Sequence, residues 1–357
     1  MGLVSLKTTF VGLSGLGFFL LWVVMGLNGS LEALFKTIFS AEFPTGRALK
    51  TSYTGIWPID FLLCVLVVFF DGLNNLVDTT PYLMLLELVS TLFVINMMTL
   101  VESRRMEGPY WMRFPALWQY LWNSAGVAVF LPIYSLLYVN QGLTSASQVP
   151  TAEAQALPFT AVWSVLLALP LMLPAVVNAS PFQIQNGVVI FFLTPPAFVF
   201  FHRLTKAIVT KTQFKASRKP AKIAYWIVGS VSALVHVGIA VYAMFSPAED
   251  VSLSRIYIPH YNAVQRGHSD IVTEGALLFI QFDYVIINIV VLILGTYILC
   301  FEPALIVKPV SGKDRAGSPL LAFLAITGIF GAGAGLAFVL YCKEHWLDSA
   351  DTQRKRT

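Results

Sequence analysis

Nine long apolar stretches dominate this chain and leave little polar sequence between them. Each approaches the roughly 20 residues that a helix needs to cross a hydrocarbon core about 30 Å thick. They are continuously apolar. Membrane barrel strands, in contrast, are segments of about ten residues in which apolar and polar residues alternate. We therefore predict an all-α fold, a polytopic transmembrane helical bundle of about nine spans, with eight as the alternative. The predicted spans are Phe10–Leu27, Ile56–Leu76, Tyr82–Val101, Ala116–Val139, Leu157–Asn178, Ile184–Leu204, Ile223–Phe245, Gly275–Cys300 and Leu320–Cys342.

The composition excludes the soluble classes of protein. Apolar residues make up 57% of the chain and charged residues 12%, whereas soluble domains have roughly 45–50% and about 25%. The cysteines Cys64, Cys300 and Cys342 show neither pairing nor metal-ligand spacing. A net charge of +4 is too small and too dispersed to indicate a nucleic-acid partner. We predict a single integral membrane domain over residues 1–357, with the lipid bilayer as its surroundings.

Prolines and basic residues predict how the bundle is arranged. Prolines inside the spans remove backbone donors and should bend the helices around a cavity; they are Pro132, Pro170, Pro174, Pro195 and Pro196. The segment 203–222 carries seven basic residues and no acid, so we place it in the cytoplasm. With nine spans the basic tail Arg354–Arg356 lies on the side of the membrane away from the cytoplasm, which contradicts the excess of basic residues expected in the cytoplasm. With eight spans this contradiction does not arise. We expect the membrane to be the endoplasmic reticulum.

Four carboxylates fall inside the predicted spans, where each costs on the order of 2.5–3.5 kcal/mol on insertion. Asp60 lies about one turn into a helix opened by Pro58, so a role in stabilising the helix start stays open beside a functional one. Asp283 lies about two turns into its helix, where a structural role would need a buried partner such as Arg or His. Asp71 is expected to meet water at its span end, and Glu87 to be a hydrogen-bonding acid within the packing.

No motif for a metal or a phosphate group is present in the sequence. His260 and His268 share a loop with two acids, but their spacing matches no ligand motif. Asp71 and Asp78 are seven residues apart, which is only a weak signal for Mg²⁺ held against a diphosphate. We therefore expect no metal ion and no cofactor.

Aromatic residues make up 13% of the chain. Most of the tryptophans, Trp122 among them, lie near span ends, as interfacial belts do. Those close to the two candidate acids could instead line a substrate pocket whose ring faces stabilise positive charge. These residues are Trp57, Phe69, Phe70, Phe282 and Tyr284.

Five short segments between about residue 50 and residue 300 carry a family resemblance: Tyr53–Leu63, Val67–Phe70, Leu100–Arg105, Leu131–Tyr134 and Ile280–Tyr284. Together they resemble the fungal membrane-bound terpene cyclases of the ascofuranone type, which belong to secondary-metabolite clusters. Asp71-Gly72 departs from the pattern, because the resemblance leads us to expect Trp-Pro at that end of the second helix.

The resemblance implies a metal-independent isomerase that cyclises an epoxidised terpenoid chain, commonly one attached to an aromatic or polyketide head, in meroterpenoid biosynthesis. Opening an epoxide requires an acid, a dry pocket and aromatic faces for the developing cation. A carboxyl group in low dielectric can stay protonated and act as that acid. We expect Asp60 or Asp283 to be the acid and the other to orient it or to accept the final proton. Glu102 and Arg105, at a salt-bridged helix end, are expected to support them.

Three other functions remain open from the residues. Intramembrane carboxylates and kinked helices also suit a proton-coupled small-molecule transporter, although no repeated halves are detectable. A UbiA-type prenyltransferase is disfavoured by the poor aspartate pattern. A non-catalytic scaffold for biosynthetic enzymes is the fourth interpretation.

Overall fold

A computed structural model of the chain is a bundle of helices. It describes residues 3–74, 76, 78–105, 110–140, 148–214, 216–217, 219–248, 251–306 and 317–354, and the side chains among them except at 3–4, 303–306, 317–318 and 351–354. Of the residues used to predict orientation, Lys215, Arg218, Lys355 and Arg356 lie outside the described residues. Apart from one isolated bridge between Glu42 and Ala48, the described residues form helices, turns and loops. The predicted all-α class is thus confirmed.

The helices follow one another along the chain, some almost directly and others across longer loops such as residues 41–56. The first helix, Leu3–Phe18, continues through a π-helical turn, Phe19–Val23, into the second, Val24–Leu27. The bounds are α1 Leu3–Phe18, α2 Val24–Leu27, α3 Ser30–Ser40, α4 Trp57–Leu73, α5 Thr79–Ser103, α6 Pro115–Ala125, α7 Val127–Asn140, α8 Thr151–Leu166, α9 Leu169–Val176, α10 Pro181–Phe192, α11 Thr194–Thr212, α12 Pro220–Phe245, α13 Leu253–Tyr257, α14 Ile271–Ile306 and α15 Gly317–Arg354.

Fewer helices could cross a membrane than the sequence predicts. Within the described residues, six segments are long and apolar enough: Ser5–Leu27, Thr79–Ser103, Thr151–Val176, Pro220–Phe245, Ile271–Glu302 and Pro319–Ala350. Helices α10 and α11 would form a seventh span if they count as one, although they are bent by 53° at their junction. The predictions of nine spans and of eight are therefore wrong.

Two predicted spans fail for identifiable reasons. Helix α4 replaces the predicted span Ile56–Leu76 and has only 17 residues, fewer than the roughly 20 that a helix typically needs to cross the hydrocarbon core. The predicted span Ala116–Val139 is interrupted at Gly126, whose φ of 99° and ψ of 139° end α6 before α7 begins. A hydropathy average over the span does not register such a break, because a predominantly apolar helix lies on each side of it.

Helix α5 lies at the centre of the bundle. In its most apolar stretch of 18 residues, 89% of the residues are buried inside the protein. Residues on one side of α5 face a cavity that α3, α4, α6 and α14 also enclose. This arrangement places residues that are far apart in the sequence around one apolar space.

Candidate functional site

The cavity beside α5 is predominantly apolar and rich in aromatic rings. It contains about 790 Å³ of empty space when its open mouth is included. Leu85, Leu88, Val89 and Leu92 of α5 form one wall. The aromatic residues that line it are Trp22, Phe35, Phe69, Phe70, Trp122, Phe191 and Phe279.

Asp283 is the acidic residue among the described residues that line this cavity. It lies on α14 and is only 2% exposed. One carboxyl oxygen accepts a hydrogen bond from the backbone N–H of Val127 at 3.2 Å, and the other accepts one from the backbone N–H of Ala128. A structural role for Asp283 was expected to need a buried partner such as Arg or His, but both of these hydrogen bonds come from backbone N–H groups. The partner is the N-terminus of α7, whose free N–H groups attract a carboxyl group.

Gly126 makes this contact possible. Its positive φ of 99° lies in a backbone region that residues other than glycine rarely adopt. A Cβ at this position would also overlap Leu21 and would lie 3.6 Å from Asp283 Oδ1. The chain thus turns tightly at Gly126 and presents the first N–H groups of α7 to Asp283.

The aromatic rings around the cavity meet edge to face. Phe279, one turn before Asp283 on α14, lies 5.1 Å from Phe69 and 5.7 Å from Trp22 between ring centroids. Phe69 also contacts Phe70 at 5.3 Å. Because these rings hold one another in place, they form fixed walls with π-faces that can stabilise a cation.

Asp60, the other predicted acid, does not line the cavity. Its carboxylate accepts hydrogen bonds from the backbone N–H groups of Tyr53, Thr54 and Gly55 at 3.1, 2.7 and 3.0 Å, and from the hydroxyls of Ser52 and Thr54 at 3.3 and 2.8 Å. Burial acts to raise the pKa of Asp60, but these hydrogen bonds outweigh it and lower the pKa to about 2. An acid so bound is ionised at neutral pH, and the contacts tie the preceding loop to the start of α4.

Glu102 and Arg105 lie in a separate buried ionic cluster. Glu102 accepts hydrogen bonds from Arg105 Nε and Lys343 Nζ, both at 3.0 Å, and Arg105 also pairs with Glu344. Lys343 further donates to the hydroxyl of Tyr138 at 2.5 Å. These contacts join the end of α5 to α7 and α15, so the salt bridge predicted between Glu102 and Arg105 is present. They do not place either residue at the cavity.

The remaining predicted pocket residues divide between the cavity and other places. Phe69 and Phe70 line the cavity. Trp57 is 74% exposed and stacks on Phe61. Phe282 is half-buried away from the cavity lining, and Tyr284 directs its hydroxyl to Glu87 at 2.6 Å. Asp283, Phe69 and Phe70 are therefore the predicted site residues that the fold brings together.

The two weaker intramembrane acids are both partnered. Glu87 contacts Tyr284 and also His236 at 3.0 Å, in agreement with the hydrogen-bonded role predicted for it. Asp71 is 1% exposed and pairs with Arg47, so the expectation that it meets water is wrong. Asp78 pairs with Arg255 at 2.6 Å. The two acids that a diphosphate site would need together thus belong to separate ion pairs.

Sequence reasoning missed several residues that line the cavity. Trp122 is only 2% exposed, whereas its position near a span end predicts an interfacial belt. Phe191 lies just before the break between α10 and α11, and Trp22 in the π-helical turn. The one usable signal was Phe279, since it precedes Asp283 by four residues and so shares its helix face.

Known proteins match this chain over nearly its whole length. A family model described as the CtvD domain matches residues 6–348. A terpene cyclase named DEP1 from Fusarium langsethiae is 28% identical, over 93% of this chain and 96% of the relative. DEP1 from Alternaria brassicicola is 27% identical over 94% and 98%, and the terpene cyclase alnG from Emericella nidulans is 22% identical over 94% and 92%. No solved structure matches the chain. These matches confirm the family resemblance that the short segments predicted.

Proposed function

Because the chain belongs to the CtvD-domain family, we propose that it is a terpene cyclase that protonates the epoxide of a terpenoid chain and closes a ring. The observation that carries the proposal is the position of Asp283, a buried carboxyl group on the wall of an aromatic, apolar cavity. The names of the relatives support the cyclase class. The acid and the epoxide are our own assignment.

The reaction begins with a proton transfer from the Asp283 carboxyl group to the epoxide oxygen. As the O–H bond forms, the C–O bond at the more substituted carbon breaks, and its electron pair stays on oxygen as a hydroxyl group. The π-electrons of a neighbouring alkene then form the new C–C bond. Loss of a proton from the resulting cation to the Asp283 carboxylate restores the acid. Substrate and product have the same composition, so the overall reaction is an isomerisation.

The hydrogen bonds to α7 orient the acid without consuming its proton. The N–H groups of Val127 and Ala128 each bind one carboxyl oxygen. Each oxygen keeps a further lone pair, so a protonated carboxyl group can accept both bonds and still direct its O–H into the cavity. A fixed donor needs no reorganisation at the moment of reaction.

The aromatic walls serve the cationic stage. Phe69, Phe279 and Trp22 surround the space next to Asp283, and a cation over a ring face gains about 0.5–2 kcal/mol, more where water is excluded. The apolar lining also keeps water from capturing the cation. The substrate we propose is a hydrophobic epoxy-terpenoid, of meroterpenoid type, that reaches the cavity from the bilayer of the endoplasmic reticulum.

Paired substrates test this proposal. Microsomes from a host that expresses the protein are incubated with the terminal epoxide of farnesol or with farnesol itself, and products are identified by mass spectrometry and NMR. We expect a cyclic product with the mass of the epoxide and no cyclic product from farnesol. Ring formation from farnesol, or no cyclic product from the epoxide, would contradict the proposal.

A further inference from the structure

A small polar pocket adjoins the apolar cavity that contains Asp283. The two spaces share Val89, Leu92, Asn123 and Phe191 in their walls. Unlike the main cavity, the small pocket is lined by several uncharged polar residues. These are Asn96, Gln119, Asn123, Ser164 and Thr194.

Some of these polar groups lack the hydrogen bonds that burial normally demands. Gln119 is 4% exposed, yet its Nε2 has no partner among the described residues. The buried Oδ1 of Asn96 likewise has no hydrogen-bond partner among the described residues. Leaving a buried donor or acceptor unsatisfied costs about 1–3 kcal/mol, so such atoms in a native site require an explanation.

The orphaned donors follow one helix face towards the reacting group. These donors belong to Gln119 and Trp122, which are three residues apart on α6. Asn123, which lines both spaces, lies four residues from Gln119 and shares this face. Trp122 lines the main cavity, and its Nε1 also has no partner in the described part of the chain. Polar atoms therefore lead from the small pocket to the cavity that holds Asp283.

We infer that this polar pocket, hereafter the amide pocket, binds an uncharged hydroxyl group at the far end of the substrate from the epoxide. A hydroxyl oxygen can accept from Gln119 Nε2 while its proton is donated to Asn96 Oδ1. None of the described residues that line the amide pocket is charged, and a buried carboxylate or phosphate would there lack a counter-ion. The inference rests on the proposed function in that the ligand is the terpenoid whose epoxide reaches Asp283.

The test measures binding rather than turnover. Full-length protein carrying Asp283→Asn, which we expect to block the reaction, is purified in detergent. Equilibrium dialysis then gives Kd for two radiolabelled probes, the terminal epoxide of farnesol and the same epoxide without its hydroxyl group. We expect the hydroxylated probe to bind about five- to tenfold more tightly, and Gln119→Leu to remove that preference.

A second glutamine provides the matched control. Gln155 is also buried, but both ends of its amide are bonded to Ser217, at 2.8 and 3.2 Å. Gln155→Leu should lower Tm and leave the preference intact, because it breaks satisfied hydrogen bonds outside the amide pocket. Gln119→Leu should leave Tm unchanged or raise it, because no such bond is lost.

Two results would overturn the inference: equal Kd values for the two probes in the protein that retains Gln119, or a preference that survives Gln119→Leu. In either case the amide pocket would be a site for water. Failure of the proposed function is distinguishable, since it shows as absence of ring formation by the wild-type protein whether or not the binding preference is found.

Discussion

Asp283 on α14 holds the first backbone N–H of α7, at Val127, 3.2 Å from its carboxyl oxygen. The two residues are 156 positions apart in the chain, and their contact fixes the break at Gly126 against the wall of the apolar cavity. One carboxyl group thereby stabilises a helix start and faces the proposed substrate.

Gly126 should tolerate no side chain. Gly126→Ala forces a residue into φ 99°, at a cost of about 1–3 kcal/mol, and its Cβ overlaps Leu21. We expect a lower Tm and weaker ring formation, because Asp283 loses its alignment with α7. Gly15→Ala is the matched control: a Cβ there meets nothing within 4 Å, so Tm and rate should stay close to wild type. Equal behaviour of the two variants would contradict this role for Gly126.

The aromatic wall should affect rate and product more than folding. Phe69→Leu keeps an apolar side chain next to Phe279 but removes a ring face, which is worth about 0.5–2 kcal/mol to a cation. We expect a rate loss of roughly two- to thirtyfold and additional products from early loss of a proton. Trp57→Leu changes an exposed ring outside the cavity and should leave the product profile unchanged, as gas chromatography of both reactions will show.

The cluster of Glu102, Arg105 and Lys343 should act through folding. Arg105→Met leaves Glu102 and Glu344 without a charge that both contact, and breaking a buried pair costs about 3–5 kcal/mol. We predict a sharp fall in the amount of folded protein, measured by size-exclusion fluorescence, with little change in rate per folded molecule. A normal protein level with a rate loss of a hundredfold would instead indicate a direct role in the reaction.

Asp60 should contribute to stability with a defined pH dependence. Its pKa is about 2 in the folded protein and about 4 in an unfolded chain, so folding is favoured while the group is ionised in both states. The contribution is complete above about pH 4 and is lost as pH falls towards 2. Asp60→Asn should therefore lower Tm at pH 7, and the gap to wild type should narrow at pH 3. A gap that widens on acidification would contradict the hydrogen-bonded carboxylate.

The sequence predicts the helical class and singles out Asp283, the acid that lines the apolar cavity, for physical reasons that also explain the failures. Asp283 stands out because an acid so deep in an apolar helix needs compensation. Its actual partner was not predictable, since it exists only because Gly126 interrupts an apolar run and exposes the N–H groups of α7. Asp60 stands out on the same criterion, yet its five hydrogen bonds come from the adjacent loop. The failed span count has a similar origin, because hydropathy does not register the glycine break or the 53° bend between α10 and α11.

The most direct measurement is the initial rate of ring formation per folded molecule for Asp283→Asn, with Asp60→Asn as the matched carboxylate control. Asn retains an acceptor oxygen for one N–H of α7 but is a far weaker acid. We predict a fall of about a hundredfold or more for Asp283→Asn and a rate within a few-fold of wild type for Asp60→Asn. A wild-type rate for Asp283→Asn would contradict the account.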